Sequence, residues 1–387
     1  MKLAIISHTE HFTDENGNLV GWGPTIREIN YLAKHFECIY HLACFYPKEA
    51  PKSATTYSSP NIKFIPLPAF GGQGILQKLT VLTTAPKIIR EVNKILSKVD
   101  ALQLRVPTGM GNYLLPYLSF KKNKPFVWVK YAGNWSENNA PIGYRFQKWW
   151  LINNFLKGKV TINGKWPNQP THCLSFENPC IDEQEQIIGA KLLKIKNYKA
   201  PLTGIFVGRL ETWKGVDRII ESLQILITKG LETFHFVGGG EKLGYYKEEV
   251  TKMDLSINVI FHNYLSRDKI SDLFIDSHVI LLPSDNEGFP KVIAEAANYG
   301  CVPIVSGVSS IPHYINESNG FLWETKRGTF REFVESINLS PENLHHKAKE
   351  AFEMSKLFTF ERYAHRILEL INTDRNENLM PKNTILS

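Results

Sequence analysis

Long apolar runs are missing from this chain. No stretch of about 18 uninterrupted apolar residues occurs, which excludes a membrane-spanning helix. The apolar run within residues 1–8 is too short for a secretory signal. Cysteine is scarce. Cys38, Cys44, Cys173, Cys180 and Cys301 are scattered and odd in number, with neither a CxxC pair nor a His at metal-ligand spacing. They read as reduced structural residues, so no metal site is expected and the expected compartment is cytoplasmic. Internal repeats and low-complexity tracts are also absent. Nor is charge of one sign in large excess: a net charge of +7 suits an anionic ligand or membrane surface, and no nucleic-acid partner is expected.

What is present is a soluble chain long enough for two cores, with 387 residues, 43% of them hydrophobic and 21% charged. Buried strands are expected at 2–7, 37–44, 62–65, 101–106 and 126–131, with a helix at 75–98 that Pro86 interrupts. A long polar loop is expected over 8–19. Gly21-Trp22-Gly23-Pro24 then opens a helix to about His35, its glycines marking either a plain turn or a close approach of backbone to a ligand. Residues 175–182 read as a linker, followed by a charged stretch up to Pro201. A second series of strands follows at 204–207, 233–237, 258–261, 279–282 and 302–305, at the spacing of repeated βα units. The fold class is therefore α/β, with two doubly wound parallel sheets. In the first domain the polar strand ends His8, Arg105, Lys130 and Asn134 mark the functional edge.

Two stretches carry chemistry. Val279–Leu282 is an apolar run without polar alternation, ended by Pro283 and followed by a polar turn and a helix start at Pro290. The first amides of that helix, on Lys291, Val292 and Ile293, favour a negative ligand. Glu287 precedes the helix and Glu295 lies one turn inside it. A plainer account makes Glu287 a loop carboxylate and pairs Glu295 with Lys291. The second stretch is Gly208-Arg209-Leu210-Glu211-Thr212-Trp213-Lys214-Gly215, which follows the first strand of the second domain. Arg209 and Lys214 are close enough to converge on one ligand, and a diphosphate needs such neutralisation both when bound and when it leaves. Gly238-Gly239-Gly240 after the next strand is a weaker phosphate signal, because it lacks the Lys-Ser/Thr ending of a P-loop.

Glu287 to Glu295 resembles the Glu-x7-Glu signature of retaining glycosyltransferase family 4 (glycosyl transferases group 1), and residues 208–215 match that family's Gly-Arg-Leu-x4-Lys-Gly motif. The likeness covers the second domain strongly and the first in outline. It implies the GT-B fold, two Rossmann-like domains facing each other across a cleft. Residues 1–176 would form the acceptor-side domain, to which a helix at about 358–372 crosses back, and 177–357 the nucleotide-sugar-binding domain. By the same resemblance Arg209 and Lys214 serve the diphosphate, and Glu287 holds the donor sugar with nearby Phe289, Lys291 and Val292. Glu295 takes the ribose, Tyr264 and Leu265 lie where backbone groups hold the base, and Gly21 and Gly23 face the phosphates. Arg105 and Lys130 stand where many members carry His. The implied substrates are a nucleoside diphosphate sugar and a glycan or lipid-linked acceptor, with no bound cofactor and no metal at the chemical step. A sugar-nucleotide epimerase of the same fold and a non-catalytic two-lobed solute-binding protein are the alternatives.

Residues 141–166 mix Tyr144, Phe146, Trp149, Trp150, Phe155 and Trp166 with Arg145, Lys148, Lys157, Lys159 and Lys165. As an amphipathic helix this stretch either lies in a membrane interface, making the protein peripheral on the inner face, or packs its aromatics on the first sheet.

Overall fold

The computed structural model describes residues 1–51, 53–71, 80–137, 139–199 and 201–379. The chain forms two units, Glu177–Phe360 and a first unit made of Met1–Phe176 with residues from Glu361 onward.

In the first unit the parallel strands are β1 (Lys2–Thr13), β3 (Cys38–Glu49), β5 (Ile62–Pro68), β6 (Ala101–Val106), β7 (Phe126–Tyr131), β8 (Lys159–Ile162) and β9 (Cys173–Ser175). Their spatial order is β5-β3-β1-β6-β7-β8-β9, and the short strands β2 (Leu19–Trp22) and β4 (Ala54–Thr56) extend the far end of β1 antiparallel. Leu3, Ala4, Ile5 and Ile6 are fully buried because β1 is covered on both faces. Ala4 and Ile6 point into one apolar cluster with Ile88, Val92 and Leu114; Leu3 and Ile5 point into another with Trp128 and Ile29. The last helix, Phe360–Leu379, covers the second cluster through Tyr363, Ala364, Ile367, Leu370 and Ile371, the spacing of one helical face.

Several expectations need correction. The expected loop at 8–19 is strand to Thr13, closed by a hairpin turn in which the Asp14 carboxylate accepts from the Asn16 and Asn18 amides. Polar residues survive there because they satisfy one another. His11 and His41 are wholly buried, and each contacts Tyr57 Oη, at 2.8 and 2.5 Å. His11 Nδ1 meets the Thr9 carbonyl at 3.0 Å, so it must donate, and Nε2 accepts from Tyr57. Tyr57 then accepts from His41 Nδ1, whose Nε2 accepts from Ser7 Oγ at 2.8 Å, and Ser7 Oγ is also in hydrogen-bond contact with Thr9 Oγ1 at 2.8 Å. Each hydrogen is used once and both imidazoles are neutral.

The helical stretch expected at 75–98 is observed as helix at 80–83, a break at Thr84 and helix Ala85–Leu96 with Pro86 in its first turn, so the interruption falls just before Pro86; residues 75–79 lie outside the described residues. The last helix continues to Leu379 instead of stopping near Ile371. The charged stretch after the linker is helix Glu183–Ile195, started by a capping box between Asp182 and Glu185. The basic-aromatic stretch is not one helix: Ile142–Ile152 is helical, Asn154 and Lys157 take left-handed backbone, and Lys159 begins β8. Its rings gather nonetheless. Trp149, Trp150 and Phe155 lie 5.0–6.2 Å from one another, and Phe120 at the end of helix Gly111–Phe120 joins them at 6.3 Å from Trp150. Phe120 and Ile142 are 79% and 84% exposed, while Trp150 packs on the core. Lys148 is turned inward and donates to the Trp135 carbonyl.

The second unit holds β10 (Leu202–Val207), β11 (Leu231–Val237), β12 (Asn258–His262), β13 (Val279–Leu282), β14 (Val302–Ser306) and β15 (Phe321–Trp323), all parallel, in the order β12-β11-β10-β13-β14-β15. Numbered within the unit this is 3-2-1-4-5-6, the doubly wound order whose direction reverses between the first and fourth strands. That switch point falls between β10 and β13, where Gly204 pairs with Val279. Val279, Ile280, Leu281 and Leu282 are buried, as their unbroken apolar character requires.

Burial pushes His11 down to about 4 and His41 well below its ordinary range, with the Arg105 charge adding to the effect at His41. A folded-state value below the unfolded one means the unfolded chain binds more protons. Stability is therefore full above about pH 6.5 and falls as the pH drops through the window toward 4, by about 3 kcal/mol for His11 alone. Thermal unfolding followed from pH 7.5 to 4.5 should show this acid loss, and His11→Gln should flatten it. An unchanged acid slope in that folded variant contradicts the neutral chain.

Candidate active site

In a doubly wound sheet the loops at the carboxyl ends beside the switch point are where a ligand meets backbone. Here those loops are 208–214 after β10 and 283–290 after β13, the two stretches with chemistry in their sequence. Their close crossing depends on Gly215, which has φ +80 and whose added Cβ would lie 2.2 Å from the Pro283 carbonyl oxygen. Gly238, with φ +131, lets the loop after β11 cross Gly208 equally closely.

Lys214 and Glu287 form an ion pair across the switch point, Nζ donating to Oε1. Ser284 Oγ donates to the same oxygen at 3.0 Å, and Ser306 Oγ holds the Ser284 carbonyl at 2.6 Å. Trp213 lies beneath the cations, with Lys214 Nζ 4.5 Å and Arg209 Cζ 5.9 Å from its ring. Its carbonyl accepts from the Asp285 amide at 2.8 Å, and Arg218 ties Asp285 and the Pro283 carbonyl at 2.5 and 2.8 Å. Arg209, Lys214 and Glu287 are thus brought together, on a platform made by Trp213, Ser284 and Arg218. Sequence reading passed over these three supports because no motif position marks them.

Helix Lys291–Asn298 begins one residue later than expected. Pro290 is its cap rather than its first residue, and the Ile293 amide is already bonded to the Pro290 carbonyl. Phe289 is not open to a ligand: its ring is buried against Phe358 and Tyr314, at 4.4 and 4.8 Å, so only its backbone can serve a site. Glu295 forms its ion pair with Arg267 at 2.7 Å rather than with Lys291. Burial opposes the charge on Arg267, but Glu295 and Glu185 more than offset this and hold its proton more tightly than usual. Tyr264 is 60% exposed beside Gly239, and Leu265 is half-buried against Ile205 and its neighbours.

The first-unit residues are engaged within their own unit. Gly21 faces His11 and Gly23 faces the Ser53 carbonyl, each with an added Cβ only 2.7 Å away, so the chain itself accounts for the missing side chains. His8 stacks on Phe70 at 4.6 Å, and Asn134 Oδ1 accepts from the Ser136 amide and hydroxyl. Arg105 and Lys130 are turned inward onto Glu28, at 2.7 and 2.8 Å, with Glu28 and Lys130 buried. Two cations on one sealed carboxylate form a structural cluster, and removing one partner from such a cluster typically costs about 3–5 kcal/mol. Among the described residues no helix is long and apolar enough to cross a membrane.

Two Rossmann-like units of this kind define the GT-B glycosyltransferase fold. The chain superposes on sucrose-phosphate synthase from Thermosynechococcus elongatus with a TM-score of 0.71 and 15% identity, covering 97% of this chain and 100% of that one. The apo form of the lipopolysaccharide outer core galactosyltransferase WaaB gives 0.68 and 16%, covering 97% and 100%. Residues 193–354 match the family model described as "Glycosyl transferases group 1", and the second unit is therefore a group 1 glycosyltransferase domain. An uncharacterized glycosyltransferase of Haemophilus influenzae is 31% identical over 156 residues, 38% of this chain and 41% of that protein. The capsular polysaccharide biosynthesis glycosyltransferase CapM of Staphylococcus aureus is 29% identical over 135 residues, 34% of each. Each alignment spans less than half of the relative's own length.

Replacing Gly215 by Ala should lower stability by about 1–3 kcal/mol, since left-handed backbone and a blocked crossing act together. A melting temperature within a degree of wild type would mean the two loops can separate without cost.

Proposed function

We propose that the chain is a retaining glycosyltransferase of family 4. It would move a hexose-type sugar from a nucleoside diphosphate sugar to a hydroxyl of a glycan or glycolipid precursor, in cell-surface polysaccharide biosynthesis. The observation that carries this reading is the Lys214–Glu287 pair beside Arg209, at the carboxyl ends of β10 and β13. An incoming diphosphate competes for Lys214. As the ammonium turns to phosphate oxygens, the Glu287 carboxylate is released to accept from sugar hydroxyls. Arg209 and Lys214 then oppose the charge that develops on the departing diphosphate, and Glu295 accepts from the ribose. The amides of Lys291 and Val292 and the backbone at Tyr264 and Leu265 complete the donor site. The chemical step needs donor and acceptor held together and water excluded, with no metal and no bound cofactor. Two structures of one solved neighbour support the donor class: Anabaena HepE was solved with UDP (17% identical, TM-score 0.65) and with UDP and glucose (16% identical, TM-score 0.64).

Thermal shift against a panel of nucleotide sugars tests the donor. A hundredfold excess over the dissociation constant should stabilise the protein by about 2.7 kcal/mol. Release of a sugar epimer without any acceptor would assign the epimerase activity instead. Arg209→Ala and Lys214→Ala should each slow transfer by about a hundredfold or more, and near-wild-type transfer by either folded variant contradicts the reading. Glu295→Ala should chiefly weaken free nucleoside diphosphate binding, whereas Glu287→Gln should chiefly lower turnover. Equal losses of diphosphate affinity by calorimetry would refute that division.

The acceptor side of the proposal is a lipid-linked glycan reached at the inner membrane face. The exposed rings of Phe120, Trp149 and Phe155 provide an apolar patch, and Lys122 and Lys157 stand exposed two residues after Phe120 and Phe155. Each lysine near an anionic surface contributes about 1 kcal/mol. Salt-sensitive sedimentation with phosphatidylglycerol vesicles is expected, weakened in a Lys122→Ala, Lys157→Ala, Trp149→Ala variant. Protein that stays in the supernatant at low salt rules the membrane contact out.

A further inference from the structure

Glu295 is held by a chain of contacts that begins outside the site. Asp182 caps helix Glu183–Ile195, accepting from the Glu185 amide at 2.9 Å, while Glu185 Oε2 accepts from the Asp182 amide at 2.8 Å. The other Glu185 oxygen, Oε1, accepts from Arg267 Nε at 2.7 Å. Arg267 is then fixed at its remaining corners: one terminal nitrogen donates to the Cys180 carbonyl at 2.8 Å and the other to Glu295 Oε1 at 2.7 Å. The guanidinium is planar and its fork rigid, so the two corners anchored on Glu185 and Cys180 determine where the third meets Glu295 Oε1. Only one carboxylate oxygen is used. The bond to Oε1 leaves Oε2 with no protein hydrogen-bond partner among the described residues, and Glu295 is partly exposed. Charge agrees with geometry: two carboxylates share one guanidinium, leaving a net negative charge that favours hydroxyl donors.

We propose that Arg267 is a positioning residue for nucleotide recognition: anchored by Glu185, it orients Glu295 so that Oε2 accepts from the vicinal hydroxyls of a ribose. This rests on the reading of Glu295 as the ribose contact. Arg267 itself touches no substrate. It fixes the rotamer of the group that does, and a Lys at the same place supplies the charge without the fork.

Calorimetry with ribonucleoside diphosphates and their 2′,3′-dideoxy counterparts tests this, using whichever of UDP, ADP and GDP binds. Wild type should prefer the ribose form by about tenfold or more, as for a hydrogen bond to a charged group. Arg267→Met and Glu185→Gln should reduce that preference to about threefold or less while the dideoxy affinity stays within about twofold. Glu185→Gln keeps an oxygen for the Asp182 cap, so it tests the anchor if Arg267→Met fails to fold. Arg267→Lys should recover folding and not the preference. Full ribose preference in a folded Arg267→Met or Glu185→Gln overturns the positioning role alone. No preference in wild type overturns the ribose reading of Glu295 beneath it.

Discussion

A parallel sheet covered on both faces has no polar surface except at the ends of its strands. Most strand positions must therefore be apolar. Polar residues survive within a strand only where they satisfy one another, as His11 and His41 do, and polar groups open to a ligand fall to the loops where strands stop. In the second unit β13 obeys this in its shortest form, four buried apolar residues followed at once by Pro283 and the polar turn. The strand order then decides which loops become neighbours. Because direction reverses between β10 and β13, the two loops that flank the reversal are left with no crossover helix between them, and Arg209, Lys214 and Glu287 fall into that gap.

This constraint also explains what could be read from sequence. β6, β7 and β13 were legible to the residue because their apolar runs are interrupted by strong breakers. The continuation of β1 was not, since Thr9, Glu10 and His11 look like loop residues. Tyr57, more than forty positions away, satisfies the ring nitrogen of the buried His11 that the neighbouring Thr9 carbonyl does not. The break in the basic-aromatic stretch was equally hidden, because composition does not change where Asn154 and Lys157 turn left-handed. The site shows the same division. Motif spacing singled out Arg209, Lys214, Glu287 and Glu295 from short stretches of chain, and the first three lie together in the structure. Arg267 acts through Glu185 and Glu295, partners on two other helices, and no local pattern announces such a bond.

The two units use similar charge pairs to different ends, and surroundings decide which. Glu28 with Arg105 and Lys130 is closed over by Tyr363, whose ring lies 4.6 Å from the Lys130 ammonium. The pair of Lys214 and Glu287 is less deeply buried, at 15% and 10% side-chain exposure, and stands at the carboxyl ends of two strands with an exposed indole beside it. A sealed pair cannot trade partners without leaving a buried charge, so it braces the fold. A pair at a loop end has an alternative partner in any anion that arrives.

The covering of the first unit by the helix Phe360–Leu379 has a consequence for synthesis. A ribosome delivers Leu3, Ile5 and Trp128 long before Tyr363, Ile367 and Ile371, the residues that close over that face. Through the intervening 184 residues of Glu177–Phe360, the nascent first unit carries a sheet with one apolar face incompletely covered, together with the buried-to-be cluster at Glu28. The second unit, contiguous in sequence, has no such wait. Its folding can finish first although its synthesis starts later, and the period in which the chain most needs protection from association is the one between residues 176 and 361.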